Sequence, residues 1–418
     1  MDKKEQKTFP ESRIQVKKRK KKLIRNWIIG ILAVICVVAA GAGFYASRLY
    51  KTAENAANKA YDKENAVKTT YGEFNGKNSF AVLLLGTDTG ALNRTEKKGN
   101  TDTIIVVVVN PKKKNYTMIS IPRDTMVGDD SDDVQKINAA YSIGGAKMTM
   151  KTVSSLLNIP VKYYALVNMG GLMKLVSYVG GIYVTPSLTF TYNEIKFKKG
   201  VRQHLNGQAA LAYSRMRYED PEGDYGRQKR QREVITKLVK KLATTDSLQN
   251  FTKIANTLSS NVKTNLSFSA LKSILANYSD CTSSSESDYL HGYSAYIDEA
   301  AYQIASTSEL QRVSNKIRKL LGLKTETISN RETKLNALNI ANGFNFNSSK
   351  TQNYTIYSES TTTSEVEKKK SSSSSATSSQ SSSQTAYNTS SSNSTGYSSN
   401  YYSNYTYSYN TNPFSGGY

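Results

Sequence analysis

The chain has 418 residues, with 56 Lys plus Arg against 33 Asp plus Glu for a formal charge of +23, and only two cysteines and two histidines. Such a basic excess points to polyanionic partners, while two cysteines, one of them inside an apolar run, exclude a disulfide framework. His204 and His291 alone provide poorly for a His-rich zinc site or a Ser-His-Asp triad.

The first element in the chain is "KKRKKKLIR" (Lys17 to Arg25), followed by the uncharged "WIIGILAVICVVAAGAGFYA" (Trp27 to Ala46). At the helical rise this run reaches about 30 Å, the thickness of a bilayer core. Residues 1–26 hold eleven Lys plus Arg against three Asp plus Glu, a bias that keeps short segments cytoplasmic. The expectation is a signal-anchor helix over 27–46 in the cell membrane, a cytoplasmic basic tail over 1–26, and an extracytoplasmic body. A cleaved signal peptide competes with this reading, but its apolar core is usually about 7 to 15 residues long. A lipoprotein anchor at Cys36 is disfavoured by Ile35 before it and by its mid-span position.

Residues 47–78 are polar with Ala and Tyr at loose helical spacing and read as a stalk. Residues 79–245 are expected to form the principal domain, 246–330 a helical continuation of its core, and 331–418 a disordered tail. Residues 371–418 carry no charge and are mostly Ser, Thr, Asn, Gln and Gly with eight tyrosines, a composition that cannot offset its ordering entropy.

"FAVLLLG" (Phe80 to Gly86), "TIIVVVVN" (Thr103 to Asn110) and "NYTMISIP" (Asn115 to Pro122) read as buried strands. "VQKINAAYSIGGAKMTMKTVSSLLN" and "MGGLMKLVSYVGG" carry helical patterns that supply cover. The fold class is therefore α/β or α+β, with a central, mostly buried β-sheet flanked by helices.

Chemistry gathers at the strand ends. Asp88 follows the first strand, Asp102 precedes the second, and the third delivers Arg123 and Asp124. If the first two strands are antiparallel, the two aspartates meet at one sheet edge and make a Mg²⁺ (or Mn²⁺) site once phosphate oxygens join them. Each aspartate alone is better explained as a turn residue; the arginines nearby shift the pair to the metal reading. In "YSRMRYEDPEGDYGRQKRQREVITKLVKKL", Arg215 and Arg217 precede a turn, and Arg227, Arg230 and Gln231 open a helix. Guanidiniums converging near a divalent metal suit a diphosphate. Lys229 and Arg232 read as a solvated basic face. A DNA-recognition helix would need nucleic acid on the same side of the membrane, so no nucleic-acid partner is expected.

Together "LLLGTDTG", "NTDTIIVVVVNP", "ISIPRDT", "KINAAYSIGG", "YYALVNMGGLMKLVSYVGGIYV" and "LNGQAALAYSRMRYEDPEGDYGRQKRQREVI" resemble the LytR-CpsA-Psr family of Gram-positive bacteria, from about Ser79 to Leu242. The resemblance implies a phosphotransferase of cell wall biogenesis. Such an enzyme moves an anionic glycopolymer, of the wall teichoic acid or capsular polysaccharide type, from undecaprenyl diphosphate to the C6 hydroxyl of N-acetylmuramic acid in peptidoglycan. It further implies that Asp88 and Asp102 bind metal, that Arg123, Lys136, Arg215, Arg217, Arg227 and Gln231 bind the diphosphate, and that Asp88, Arg123 and Arg217 are catalytic. Arg230 and Asp224 are second candidates from the same motif. A hydrophobic groove for the polyprenyl chain is implied as well; Ile143 to Leu157 and Leu172 to Val179 either line it or are ordinary core.

The chain departs from the family pattern where Thr89 and Gly90 follow Asp88 and Asn100 precedes Thr101, positions at which an arginine is common; Arg94 is placed to compensate. Three other functions fit parts of the sequence: a lipid-diphosphate hydrolase, a membrane-bound transcription attenuator, and a non-catalytic wall-binding protein supported by the Ser/Tyr tail.

Overall fold

In a computed structural model the residues described are 47–377, apart from 49, 56, 68–71, 92–98, 129–132 and 244–260. The expected span Trp27 to Ala46, the basic tail before it, Arg94 and the tail beyond residue 377 lie outside the described residues. No helix among the described residues is long and apolar enough to cross a membrane.

Strands β1 (Phe80–Thr87), β2 (Thr101–Asn110) and β3 (Asn115–Ser120) form an antiparallel meander of the expected runs. A small hairpin follows, β4 (Met126–Gly128) with β5 (Val134–Lys136). β6 (Tyr163–Asn168) then returns parallel to β1. Two ribbons come next: β7 (Ile182–Val184) pairs with β10 (Gln203–Leu205), and β8 (Phe190–Tyr192) with β9 (Ile195–Phe197). β11 (Val262–Thr264) and β12 (Ser284–Tyr289) form the edges of the central sheet, whose order is β11-β6-β1-β2-β3-β12. β13 (Tyr293–Ile297), β14 (Ala300–Ile304) and β15 (Gln352–Asn353) make a second, smaller sheet.

The helices are α1 (residues 50–55 and 57–60), α2 (Ala139–Leu157), α3 (Met169–Tyr178), α4 (Gly207–Arg215), α5 (Asp224–Ala243), α6 (Phe268–Asn277), α7 (Thr307–Leu321), α8 (Arg331–Asn342) and α9 (Thr363–Thr377). Their starts follow capping chemistry, with the side chains of Asn168, Asn206, Ser267 and Ser306 each accepting a backbone N–H of the first turn.

Period-two alternation sorts the central sheet into two covered faces. Ala81, Leu83 and Leu85 of β1 and Ile104, Val106 and Val108 of β2 pack with Val153 and Leu156 of α2 and Val313 and Ile317 of α7. The opposite face, Ile105, Tyr116 and Met118 with half-buried Leu84, Val107 and Val109, meets Ile235 and Val239 of α5. The outer side of α5, through Val234 and Leu238, is covered by the β7–β10 ribbons.

Three expectations are corrected. Residues 47–78 are no free stalk: Ala53 and Ala57 pack on Phe268 of α6, Tyr61 bridges to Thr264, and Asp62 accepts the Tyr164 hydroxyl at 2.5 Å. Residues 246–330 are not simply helical, because they supply β11 to β14. Residues 331–418 do not begin as a disordered tail: Asn330 and Thr333 form a capping box for α8, whose Leu335, Asn336 and Leu338 are buried. β15 then pairs with β13, and Tyr354, 2% exposed, donates its hydroxyl to Asn336 at 2.8 Å. A polar sequence orders here because its amides find partners in the fold.

Candidate active site

The β1–β2 ladder runs in register from Phe80↔Val109 to Gly86↔Thr103 and then steps to Thr87↔Thr101. Asp102 is the residue left over, a β-bulge one position from the sheet end. Bulges re-aim side chains and accumulate beside active sites. Thr87, Thr101 and the residues next to them thus bring Asp88 and Asp102 to one sheet edge, as the antiparallel pairing predicts. Gly99 closes the same corner: a Cβ there would lie 3.0 Å from Asp88 Oδ1 and 2.8 Å from the Thr89 methyl.

Arg123 arrives from the loop after β3 and bonds Asp102 Oδ1 at 2.7 Å, with Asp124 at 3.6 Å from its Nε. Burial works against its charge, but Asp102 and Asp124 outweigh burial and hold the guanidinium above the usual arginine range. Lys136, the last residue of β5, bonds Asp124 at 3.1 Å and lies over the Tyr302 ring. Arg227, 6% exposed, pairs with Asp224 at 2.6 Å and reaches the Asp102 carbonyl at 3.4 Å. Burial, then the neighbouring guanidiniums of Arg123 and Arg217, push it below the usual arginine range against the pull of Asp224 and Asp102.

Arg215 ends α4 and Arg217 follows two residues later, both half-buried. Among the described residues neither side chain meets a carboxylate or a hydrogen-bond acceptor; Arg217 only lies near the exposed Tyr218 ring. Gln231 stands one turn beyond Arg227 on α5, likewise without a side-chain partner there. The Nε atoms of Arg123 and Arg227 are buried without a hydrogen-bond acceptor. Like charges gathered with unused donors suit an anion, because a multiply charged ligand would relieve the repulsion and fill the donors.

Two other arginines of the same motif are already occupied. Arg230, 4% exposed, pairs with Asp220 and bonds the carbonyls of Tyr213 and Met216, so it serves the scaffold. Arg232 is not on a solvated face: it is 5% exposed and bonds Ser120 at 2.5 Å. Lys229 does lie exposed, paired with Glu222.

The donor set fits a hard divalent cation that takes most of its ligands elsewhere. Among the described residues no group of three or more His, Cys, Asp or Glu gathers. Asp102 engages one carboxylate oxygen with Arg123, leaving the other for a cation beside Asp88, with water and phosphate to complete the shell.

The LytR_cpsA_psr family model matches residues 44–319. The chain belongs to the LytR-CpsA-Psr family. Among its relatives in that family, the polyisoprenyl-teichoic acid–peptidoglycan teichoic acid transferase TagU of Enterococcus faecalis is 41% identical over 298 residues, covering 71% of this chain and 97% of that protein. Biofilm regulatory protein A of Streptococcus mutans is 39% identical over 334 residues, covering 75% and 80%. A structure of TagT bound to LIIa-WTA superposes with a TM-score of 0.51 at 28% identity, covering 62% of this chain and 96% of that one. The mixed α/β architecture with a helix-flanked central sheet is that of the LytR-CpsA-Psr structures.

Of the two readings open for Ile143 to Leu157, ordinary core is the one the packing of α2 supports. α2 delivers Val153, Leu156 and Leu157 to the main core, and Ile143 is 62% exposed. On the opposite face of the sheet, half-buried Leu84, Val107 and Val109 of β1 and β2 pack in one cluster with Ile235 and Val239 of α5. The alternate residues of the two most apolar strands were the available signal. Tyr225 and Gln303 also escaped notice. The Tyr225 hydroxyl accepts from Gly292 N at 2.8 Å and lies 3.3 Å from Gln303 Oε1, while Gln303 N donates to the Asp124 carbonyl at 2.9 Å. The β13–β14 hairpin thereby ties the Arg123 loop to the first turn of α5.

Proposed function

We propose that the protein is a Mg²⁺-dependent phosphotransferase that moves an anionic glycopolymer, of the wall teichoic acid or capsular polysaccharide type, from undecaprenyl diphosphate to the C6 hydroxyl of N-acetylmuramic acid in peptidoglycan. The observation that carries this reading is the gathering of Arg123, Arg217 and Arg227 beside Asp88 and Asp102, with Arg215 and Arg217 lacking any acidic partner among the described residues. The relatives named for teichoic acid transfer support the substrate class.

In this reading Arg123, Arg215, Arg217, Arg227 and Gln231 grip the diphosphate, and Lys136 sits at its edge. The polyprenyl chain follows the half-buried apolar side chains Leu84, Val107 and Val109 beside Ile235 and Val239 of α5. The muramic acid hydroxyl attacks the glycan-side phosphorus. The bond from that phosphorus to the bridging oxygen breaks, and undecaprenyl phosphate leaves with the electron pair. Arg217 and Arg227 stabilise the charge that develops on the phosphoryl and leaving oxygens, the main catalytic contribution in phosphoryl transfer. In this reading Asp88 takes the hydroxyl proton. A divalent cation held by Asp88 and Asp102 would supply further neutralisation of phosphate charge. The catalytic domain stands outside the cell membrane, anchored by residues 27–46.

The test is transfer from a short glycan on a polyprenyl diphosphate to an uncrosslinked peptidoglycan oligomer by residues 47–368, a span that retains α1 and Tyr354. Wild type should yield a phosphodiester-linked conjugate by mass spectrometry. Arg217→Ala should lose about 10²- to 10³-fold in rate with an unchanged melting temperature. Free glycan phosphate in the presence of acceptor would make the protein a lipid-diphosphate hydrolase instead.

A further inference from the structure

The β7–β10 ribbons bury one side and expose another. Ile182, Val184 and Leu205 face inward with Phe190 and Phe197, against Val234 and Leu238 of α5. Outward stand the cross-strand pairs Tyr183↔His204 and Thr191↔Lys196. The Arg202 guanidinium lies 4.0 Å from the Tyr183 ring centroid, and the His204 ring 4.9 Å away. Gln203 joins the two ribbons, its side chain bonding Lys198 N at 2.8 Å and the Lys196 carbonyl at 3.2 Å. Lys196, Lys198, Lys199 and Arg202 are all exposed, and none meets a carboxylate among the described residues. Between Thr185 and Leu205 the sole acidic residue is Glu194, at the β8–β9 turn. Within this basic field Tyr183 is 44% and Val201 48% exposed.

The position of this face in the fold gives it meaning. Phe80 pairs with Val109 at the end of the sheet opposite Thr87 and Asp88. α5 starts at the arginine site, packs Ile235 and Val239 into the cluster that holds Tyr116, Met118 and Val109, and reaches the Ser279–Thr282 turn beside β3, so its second half runs toward that far end. The ribbons cover this half. Phe74, Phe80 and Tyr163 meet α6 at the same end, and α6 receives Ala53 and Ala57 of α1, the first helix after the expected membrane anchor.

We propose that the outer face of the β7–β10 ribbons docks on the anionic surface of the bilayer that carries the lipid substrate, so that the end of the sheet opposite Asp88 faces the membrane. This rests on the membrane-anchored reading given above. Cationic heads around an exposed tyrosine and valine suit a bilayer interface, which takes up both the charge and the apolar atoms. A soluble polyanion would engage the lysines and draw nothing from Val201.

The experiment places a reporter at Val201→Trp in full-length chain carrying Trp27→Phe, reconstituted in lipid nanodiscs with brominated lipids. In discs rich in phosphatidylglycerol the reporter should be quenched and blue-shifted; in phosphatidylcholine discs it should not. Each basic side chain contributes on the order of fivefold to such partitioning, so Lys198→Glu, Lys199→Glu and Arg202→Glu together should abolish the quenching. Absence of quenching in both lipids overturns the proposal. Release of the reporter by soluble poly(glycerol phosphate) also overturns it, by assigning the face to the wall polymer. Arg217→Ala should keep the docking signal while losing transfer, which separates a failure of docking from a failure of the transferase reading.

Discussion

The Arg230 guanidinium holds the buried carboxylate of Asp220 while its remaining nitrogens bond the carbonyls of Tyr213 and Met216. One side chain of α5 thus fixes the loop that carries Arg217. Arg230→Ala leaves Asp220 charged and unpaired in the interior, a loss of about 3–5 kcal/mol, read as a large fall in melting temperature. Arg230→Lys should rescue little, since a single ammonium cannot replace a three-pronged fork. Arg217→Ala, by contrast, should leave thermal stability intact.

Tyr225→Phe removes the hydroxyl that links Gly292 and Gln303 to the first turn of α5. Stability should fall by about 1–2 kcal/mol. Because Gln303 also holds the Asp124 carbonyl, the Arg123 and Arg227 donors should lose their mutual spacing, and transfer should slow by up to about a hundredfold. A melting curve and single-turnover kinetics on one sample separate the two effects; slow transfer with an unchanged melting temperature would contradict the bracing role.

Asp102→Asn breaks the charge pair with Arg123 and removes one of the two carboxylates proposed to hold a divalent cation. The Mg²⁺ concentration needed for half-maximal transfer should rise at least about tenfold, and chelator should abolish wild-type activity. Calorimetric titration of Mg²⁺ in the presence of pyrophosphate gives a readout independent of turnover. Equal Mg²⁺ responses of wild type and variant would remove Asp102 from the metal site.

Asp288 sets an acid limb. Burial alone would raise its carboxyl, but hydrogen bonds from Arg312 and Lys316 outweigh burial and hold it at about 2, below the ordinary 3.8. A depressed folded-state value contributes stability above the unfolded value, lost as pH falls from about 4 through about 2. After solvent screening the contribution is on the order of 1 kcal/mol. Asp288→Asn should therefore lower the melting temperature at pH 7 and flatten its decline between pH 4 and pH 2.

β1, β2 and β3 were legible because each face of the sheet is apolar along its whole length, and the two aspartates followed from their places at a strand end and a strand start. β12 was not legible: "SSESDY" is an edge strand whose side chains serve Arg312 and Lys316, so it shows no apolar alternation. α8 and β15 were hidden by the same effect, since Asn330, Asn336 and Asn339 hold them through amide bonds that composition reads as solvation. Nor does a run of arginines state which of them are spoken for. Arg230 and Arg232 are consumed by carbonyls, Asp220 and Ser120, whereas Arg215 and Arg217 are left for a ligand; only the arrangement in space divides them.

The bulge at Asp102 makes this carboxylate, one of the two proposed to hold the metal, an insertion rather than a member of the ladder. Thr101 already faces Thr87, and Thr103 already faces Gly86. Excising Asp102 would therefore close an unbroken antiparallel ladder without moving any other pair to the wrong face. If the proposed role of Asp102 holds, catalytic equipment and architecture are separable here by one residue, and a chain lacking Asp102 should fold and hold lipid-linked substrate without consuming it.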